Sequence, residues 1–308
     1  MPELPEVTTT VNGLQKKVTG LVILDVWTDL ARPNPIKQFT HTIKNKKFFD
    51  NFKKEIIGKK ILKSERRAKN ILVHLEKNKT ILIHLKMTGH IMYGNYVYDK
   101  KANTWAPNKD ERKELHDPYN RFIHVVFSLS NKKHLAFCDA RKFGKVTLLD
   151  TDTMHESIHL KNIGPEPLDY NFSVKDFKKA ILSKPNKNIK TVLMDQTVIA
   201  GIGNIYSDEL LWLSNVHPNS KPQNIKEKDW AVLYKNMIIV LNKGIDFGGD
   251  STSDYRDIDG NKGNFQNAHN VYRKKGEVCG KKQCSGVIIR KVIDGRSAHF
   301  CNIHQIIF

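Results

Sequence analysis

The sequence predicts an α+β protein of two domains: a β-sandwich or barrel preceded by one helix, then a helical domain that ends in a β-hairpin. Short β-rich runs dominate the first half, whereas apolar residues within 172–244 recur with the period of helices. One such helix has an apolar face, and Gly244 is predicted to end it: the face consists of Trp230, Leu233, Met237, Val240 and Leu241. The length of 308 residues suits two domains of about 150 residues each.

The first predicted element is an amphipathic helix. Its apolar positions recur at i, i+4, i+7 and i+11, namely Val7, Val11, Leu14 and Val18. Pro5 suits the first helical turn, where its missing N–H is not needed, and Gly20 is expected to end the run. Seven β-rich runs follow, at 21–27, 56–63, 71–75, 81–85, 122–129, 134–138 and 146–149. Residues 76–80 are predicted to form a hairpin turn, and the charged, proline-containing stretch 96–120 a surface loop.

The predicted organisation along the chain has four parts. Residues 1–150 form the β-rich domain and 151–247 the helical domain, with the boundary between them inside 151–170. The stretch 248–267 is rich in Gly, Asp and Asn and is predicted to be a long loop. Residues 268–308 carry three of the four cysteines and form a separate C-terminal module.

The charge of the chain points to a polyanionic partner. Lys and Arg number 51 against 32 Asp and Glu, which gives a net charge of +19. Nucleic acid is the favoured partner, because cationic side chains release the counterions condensed on phosphates. The alternatives are a solvated, lysine-rich surface from an AT-biased genome and, more weakly, an anionic membrane surface. Because no apolar stretch reaches eighteen residues and the N-terminus lacks a basic and an apolar region, we expect neither a membrane span nor a secretory signal, and hence an intracellular protein.

Four residues near the C-terminus have the spacing of a metal site. They form two close pairs, Cys279 with Cys284 and Cys301 with His304. Zinc prefers four tetrahedral sulfur or nitrogen ligands, and a site filled by four side chains is structural. An Asp-Gly step at 294–295 predicts a hairpin between the pairs, and thus a zinc ribbon. The alternative is three unpaired thiols and an unrelated histidine; Cys138 stands alone and is expected to be a small buried residue.

The N-terminus offers a nucleophile. Removal of Met1 would leave Pro2 as a free secondary amine, and an α-amino group titrates near ~7.7–8. Attack by this amine on C1′ of a sugar gives a cationic iminium, a strong electron sink for elimination. Glu3 is placed to act as a general acid on the ring oxygen, and the positive end of the predicted helix disfavours the protonated amine. The alternative is that these residues only cap the helix.

The order of these features resembles a known family. The segment Pro2-Glu3-Leu4-Pro5-Glu6-Val7 is followed by a β-rich domain, a helical domain and a Cys/His ribbon. In this order they resemble the Fpg/Nei family of bifunctional DNA glycosylases, and most closely its formamidopyrimidine-DNA glycosylase branch. The resemblance spans nearly the whole chain, and it implies that the helical domain contains a helix-two-turns-helix element.

Three segments of the β-rich domain are similar to DNA-contacting segments of this family: 67–69, 84–89 and 139–144. The similarity implies that Lys69 contacts DNA near the lesion. It also implies that Met87, Arg141 and Phe143 form a wedge that fills the space left by a flipped base. Without the resemblance, Lys69 is a surface charge at a strand entry, and Met87 and Phe143 are ordinary core residues.

The second half of the chain contributes further implied contacts with phosphates. Segments 189–195 and 201–206 resemble the helix-two-turns-helix element, which implies that Lys190 and Asn204 bind DNA, the latter at a helix N-terminus. Arg296 resembles the arginine at the tip of the zinc ribbon that grips the phosphates flanking the lesion, and the resemblance places Lys69 and Arg296 with Pro2 and Glu3 among the catalytic residues. The stretch 248–267 resembles the loop that encloses an oxidised purine. Without the resemblance, Asn204 is only a helix cap and Arg296 a charge in a hairpin turn.

The resemblance implies a base-excision-repair enzyme. It would remove 8-oxoguanine and formamidopyrimidines from double-stranded DNA, act on abasic sites, and cut the strand by β,δ-elimination through a Schiff base at Pro2. One structural Zn²⁺ is the only implied cofactor, and a monomer is expected. Two alternatives stay open: an endonuclease VIII-like glycosylase for oxidised pyrimidines, and a catalytically silent protein that binds damaged DNA.

Overall fold

Two four-stranded antiparallel sheets form the centre of the first unit of the protein, seen in a computed structural model that describes all 308 residues. This unit comprises Met1–Lys161 and Phe247–Asn264, and the second comprises Asn162–Asp246 and Phe265–Phe308. The predicted α+β class, with a strand-rich first part and a helical second part, is confirmed.

The sheets of the first unit are a β-sandwich. Their strands are β1 (Ile23–Thr28), β2 (Ile61–Arg67), β3 (Asn70–Leu75), β4 (Lys79–His84), β5 (His90–Gly94), β8 (Ile123–Leu129), β9 (His134–Cys138) and β10 (Lys145–Asp150). One sheet has the order β1-β8-β9-β5 and the other β10-β4-β3-β2. Every second residue of β3 (Ile71, Val73 and Leu75) enters the shared core, as the two-residue period of a strand requires.

Helix α1 (Leu4–Val18) closes the first unit's core, and its predicted apolar positions are buried there. Helix α2 (Lys46–Ile56) was not predicted. The expected strand at 56–63 was wrong, because Ile56 ends α2 and β2 begins only at Ile61. Its apolar residues Phe48, Phe52 and Ile56 recur every four positions, a helical signal that sequence reasoning overlooked among the lysines. Its start is marked by Asn45, whose side chain accepts a bond from the Phe48 N–H.

The stretch 96–120 is more ordered than the predicted surface loop. It contains the hairpin β6 (Tyr96–Asp99) and β7 (Thr104–Pro107). The Trp105 ring packs against the Tyr98 ring, with their centroids 5.3 Å apart. Leu115 is fully buried. The charged residues hid these apolar anchors, which tie the stretch to the sandwich.

The second unit is built from helices and one hairpin. Its main elements are α3 (Val174–Leu182), α4 (Ile189–Met194), α5 (Asn204–Leu213), α6 (Glu227–Asp246), β11 (Ile288–Ile293) and β12 (Arg296–Cys301). The prediction that Gly244 ends α6 was wrong, because the helix continues to Asp246. A Cβ at position 244 would lie 2.4 Å from the Tyr206 ring, so glycine is needed there for close packing. The predicted Asp294-Gly295 turn is confirmed, with positive φ at both residues. None of the helices combines the length and the apolar character that a membrane span requires.

Candidate active site

The predicted nucleophile and acid lie at the beginning of α1. Pro2 is buried, Glu3 is 2% exposed, and Met1 projects outward with 41% exposure. Glu3 is the N-cap residue of α1, so both residues lie at the positive end of the helix dipole. Removal of Met1 would therefore create a secondary amine beside a carboxyl group, at a helix end that disfavours a further positive charge.

Glu6 connects this dipeptide to the loop after α6. One oxygen of its carboxylate accepts the N–H of Glu3 at 2.7 Å, and the other accepts the N–H of Asp250 at 2.7 Å. The Tyr255 hydroxyl donates to the Glu6 carbonyl at 3.0 Å. Sequence reasoning missed this role, although a Glu three residues after a helix N-cap is the signal of a capping box.

Lys69 occupies a tight turn between β2 and β3. The turn consists of Ala68 and Lys69, and Ala68 has a φ of 53°, in the left-handed region. Lys69 is only 4% exposed. It therefore lies at the entry of β3, as predicted from the sequence, but its buried side chain is not an ordinary surface charge.

The predicted wedge residues are exposed apolar side chains on two neighbouring loops. Met87 is 41% exposed and Phe143 46% exposed, so neither is a core residue. The Arg141 guanidinium stacks over the Phe143 ring, 4.7 Å from its centroid. The Arg141 N–H donates to the Thr88 hydroxyl at 3.1 Å, which joins the loop of Met87 to the loop of Phe143.

Asp139 holds these two loops together and was not among the predicted site residues. Its buried carboxylate accepts bonds from the Thr88 hydroxyl, the Arg141 N–H at 3.3 Å and the Gly144 N–H at 2.6 Å. A Cβ at Gly144 would lie 2.3 Å from the Phe137 ring, so glycine is required where the loop returns to the sheet. The position of the wedge thus depends on one carboxylate.

We expect Asp139→Ala to lower the free energy of unfolding by about 2–3 kcal/mol, because it leaves buried N–H and O–H donors without acceptors. Urea unfolding measures the change. Asp152→Ala is the control, since the exposed Asp152 carboxylate accepts a single bond, from the Asn78 amide at 2.8 Å. Equal stability of the two variants would contradict the bracing role of Asp139.

A cluster of cations, which we call the lysine cluster (Lys44, Lys86 and Lys145), surrounds the wedge loops. Lys44 donates to the Lys142 carbonyl at 2.6 Å. Burial, with smaller contributions from Lys86 and Lys145, lowers the pKa of Lys44 to about 8, against the raising effect of Asp139. The Lys145 ammonium lies 3.2 Å from the His159 ring, whose pKa burial lowers to about 4. Such concentrated positive charge suits a phosphate ligand.

The Lys190 side chain lies inside the second unit, where it is 1% exposed. It forms an ion pair with Asp208, whose other carboxylate oxygen accepts the His299 N–H at 3.0 Å. The His299 ring nitrogen lies 3.0 Å from that same oxygen. Asp208, another residue that the sequence did not reveal, thereby joins α4, α5 and β12.

Asn204 is the first residue of α5, as the glycines before it predicted. The preceding turn is braced by Gln196, which donates to the Ile202 carbonyl at 2.8 Å and accepts the Gly201 N–H at 2.8 Å. Gly201 has a φ of 83°, a conformation that favours glycine. The result is a rigid turn that presents a helix N-terminus, a site suited to an anion.

The four predicted metal ligands converge. The ligand atoms of Cys279, Cys284, Cys301 and His304 all lie within 4.8 Å of one another. The sulfur atoms of Cys284 and Cys301 are 3.6 Å apart, close to the roughly 3.8 Å edge of a tetrahedron with ~2.3 Å bonds to zinc. The other ring nitrogen of His304 lies 3.2 Å from the Trp212 carbonyl, which leaves Nδ1 free to bind a metal. This group can hold a metal ion.

Arg296 projects from the tip of the ribbon. It is exposed and follows the Asp294-Gly295 turn. Asp294 accepts bonds from the Thr191 hydroxyl at 2.7 Å and the Asn188 amide at 3.0 Å, and these bonds lower the pKa of its carboxyl group. The turn that carries Arg296 is therefore fixed to the start of α4.

Two family models match this chain, one in its strand-rich first part and one in its helical second part. Residues 1–146 match the model of the formamidopyrimidine-DNA glycosylase N-terminal domain, and residues 163–256 match the model of the H2TH domain of the same enzymes. The formamidopyrimidine-DNA glycosylase of Desulforamulus reducens is 35% identical over 306 residues, covering 99% of both chains. That of Ligilactobacillus salivarius is 33% identical over 308 residues, covering 100% of this chain and 99% of the relative.

Solved structures give the same result. Lactococcus lactis Fpg in complex with abasic-site DNA superposes with a TM-score of 0.80 at 31% identity, covering 98% of this chain and 99% of the other. A variant of that protein in complex with DNA containing Fapy-dG gives a TM-score of 0.81 at 32% identity and covers 99% of each chain. Sequence and fold agree, and the chain belongs to the formamidopyrimidine-DNA glycosylase family, whose members are base-excision-repair glycosylases with AP-lyase activity.

Proposed function

We propose that this chain excises oxidised purines such as 8-oxoguanine and formamidopyrimidines from duplex DNA and cleaves the strand at the resulting abasic site. The observation that carries the proposal is the buried Pro2-Glu3 pair at the start of α1, bonded through Glu6 to the loop at Asp250. Complexes of Lactococcus lactis Fpg with abasic-site and Fapy-dG DNA support this choice of substrate. The protein would act as a monomer, inside the cell where DNA is kept.

The chemistry begins at the amine of Pro2. Its lone pair forms a bond to C1′ while the damaged base leaves with the glycosidic electrons, and the amine loses its proton. Glu3 then protonates the ring oxygen as the bond from C1′ to that oxygen breaks, which leaves an iminium between Pro2 and C1′. The iminium acidifies C2′, so loss of a C2′ proton expels the 3′ phosphate, and a second elimination expels the 5′ phosphate.

The other predicted residues would hold the DNA open. Met87 and Phe143 are exposed apolar groups that suit the gap left by a flipped nucleotide, and Arg141 can donate to the orphaned base. Asn204 and Arg296 would bind the phosphates, and Lys69 would contact the DNA near the lesion. The predicted DNA contact of Lys190 is replaced by a supporting role, because its buried ammonium pairs with Asp208 and lies 3.5 Å from the Asn204 carbonyl. The stretch 248–267 would enclose the damaged base, next to the residues that attack its sugar.

The metal group would hold one structural Zn²⁺. Three sulfur ligands and one imidazole fill a tetrahedral site and leave no open position for a reacting molecule. Bound zinc would fix the ribbon and with it Arg296. The Gly286 N–H donates to the Cys284 sulfur at 3.4 Å and lowers the pKa of that thiol, which favours the thiolate that zinc requires.

Borohydride trapping with a panel of duplexes tests the proposed function. We expect a covalent adduct with 8-oxoguanine paired to cytosine and with an abasic site, and a much weaker one with thymine glycol. A preference for thymine glycol would instead identify an oxidised-pyrimidine enzyme. DNA binding without an adduct on any substrate would indicate a catalytically silent protein.

Affinity for DNA should fall as the pH rises from 7 to 9. Lys44 loses its charge as the pH passes its lowered pKa of about 8. The loss is worth about fivefold in affinity, the value of one charge pair in a mainly aqueous environment. Fluorescence anisotropy at several pH values measures the change. The Lys44→Arg variant stays charged and should flatten the pH profile of affinity. The control Lys46→Arg, in the exposed pair with Asp50, should keep the profile of the unmodified protein. Identical profiles for the unmodified protein and both variants would refute the role of Lys44.

A further inference from the structure

Arg256 is a buried cation in the loop that follows α6. It is 1% exposed, the largest among the fully buried side chains. Its guanidinium donates to the Asp117 carboxylate from two nitrogens, at 3.2 and 3.0 Å. A third nitrogen donates to the carbonyls of Ser253 at 3.1 Å and Tyr255 at 2.8 Å. One side chain therefore fixes the backbone of the loop and joins it to the stretch 96–120.

The stretch 96–120 is shaped to receive this cation. Asp117 also accepts the Tyr119 N–H at 2.9 Å, which fixes its carboxylate, and the Arg256 guanidinium lies 5.0 Å from the centroid of the Tyr119 ring. Partial burial raises the pKa of Asp117, but the bonds from the Tyr119 N–H and from Arg256 lower it by more, so the net shift of the pKa is downward. The Asp117 carboxylate is thus ionised at neutral pH, where it faces the guanidinium of Arg256.

A second contact holds the same part of the loop. The Asp259 carboxylate accepts bonds from Lys17 of α1 at 2.5 Å and from Arg112 at 2.7 Å. The next residue, Gly260, has a φ of 84°, and a Cβ there would lie 2.7 Å from the Glu114 carbonyl. The loop is therefore packed against the stretch 96–120 at two successive points, Arg256 and Asp259-Gly260.

These anchors lie directly beyond the residues that face the predicted reaction centre. Asp250 and Tyr255 bond to Glu6, which also holds the N–H of Glu3. Burying a guanidinium costs more than an apolar side chain of the same size would, so Arg256 is a poor choice for stability alone. Such a cation is better explained by a need to fix one conformation of the loop.

We propose that Arg256 and Asp117 are positioning residues that determine lesion specificity, by holding the segment 250–255 in the conformation that receives the damaged base. The stretch 96–120 then belongs to the recognition apparatus. This inference rests on the proposed glycosylase function. The proposal predicts different effects on the two steps of the reaction. A loop that contacts the damaged base affects the rate of excision, but not the rate of elimination at a site that has already lost its base.

The test compares single-turnover excision of 8-oxoguanine with strand cleavage at a preformed abasic site. Asp117→Asn keeps the shape and the acceptor for the Tyr119 N–H but removes the charge. We expect excision to slow about tenfold or more, as for loss of a charged hydrogen bond, with cleavage at the abasic site unchanged within about twofold. Arg256→Lys should give an intermediate rate, and Asp50→Asn, in an exposed ion pair of α2, should change neither step.

Hydrogen exchange of the loop supplies a second readout. In Asp117→Asn the amides of 250–257 should exchange faster while those of the β-sandwich keep their rates. An equal slowing of both reaction steps, or no slowing of either, overturns the proposal. If the unmodified protein excises no oxidised purine, the proposed function itself fails, and this outcome is distinct because it does not depend on Asp117.

Discussion

Protein that retains Met1 should give no borohydride-trapped adduct with abasic-site DNA, whereas protein with Pro2 at its terminus should give one. The physical reason is that an amide nitrogen at residue 2 has no lone pair available for attack on C1′. We expect strand cleavage to fall by about a thousandfold or more, the scale seen when a nucleophile is removed. Intact-mass measurement of the protein and of the adduct establishes which species reacts.

Glu3→Gln is the matched comparison, because it removes the proton donor and keeps the amine. Covalent trapping on 8-oxoguanine DNA should fall by about 10²–10⁴-fold, the usual contribution of a general acid, because the iminium forms there only after Glu3 protonates the ring oxygen. Trapping on a preformed abasic site should persist, since its sugar is already open to attack. An undiminished adduct from Met1-retaining protein would rule out Pro2 as the nucleophile.

Loss of the metal should produce the second large effect. We expect Cys301→Ala, or prolonged chelation, to release one Zn²⁺ per chain and to lower DNA affinity by about two orders of magnitude. Structural zinc contributes folding free energy directly, so the ribbon would lose its shape without it. Metal analysis and anisotropy measure both changes. Trp212, whose indole N–H lies 3.4 Å from the Cys279 sulfur, adds a fluorescence signal from the site itself.

Two variants distinguish loss of zinc from loss of a single cysteine or a single DNA contact. Cys138→Ala should retain the zinc, because Cys138 is a buried β9 residue whose thiol contacts the Asn120 carbonyl. Arg296→Ala should also keep the zinc but bind DNA more weakly, with a salt dependence shallower by about one unit for the lost phosphate contact. A Cys301→Ala protein with full zinc content would show that the four residues are not the ligands.

Local patterns explain which parts of the fold could be predicted. Helix α1 and the Asp294-Gly295 turn follow from period and turn chemistry, which neighbouring residues determine alone. Strand β5 was missed because only Ile91, Met92 and Tyr93 mark it, between a histidine and a glycine. Helix α2 was missed although Phe48, Phe52 and Ile56 recur at helical spacing, because lysines surround them. In 96–120, charged residues conceal Leu115, whose burial depends on contacts distant in sequence.

The same distinction applies to the site. The resemblance pointed to Met87 and Phe143, and their exposure is what a wedge needs. The acidic residues that position the site were not found, because their partners lie far away in the chain: Glu6 bonds to Asp250 and Asp208 to His299. No periodicity or spacing reports such contacts. A capping-box pattern at Glu6 was the one local signal available.

The double use of the Glu6 carboxylate has a consequence for attempts to redirect this protein to other lesions. Its two oxygens hold the backbone of Glu3 and of Asp250, so a redesigned loop that pulls on Asp250 will also shift the attacking amine. Libraries that randomise the loop alone should therefore yield many binders that are slow. Libraries that vary the loop together with residues 3–6 should change the preferred lesion and keep the rate of the reaction.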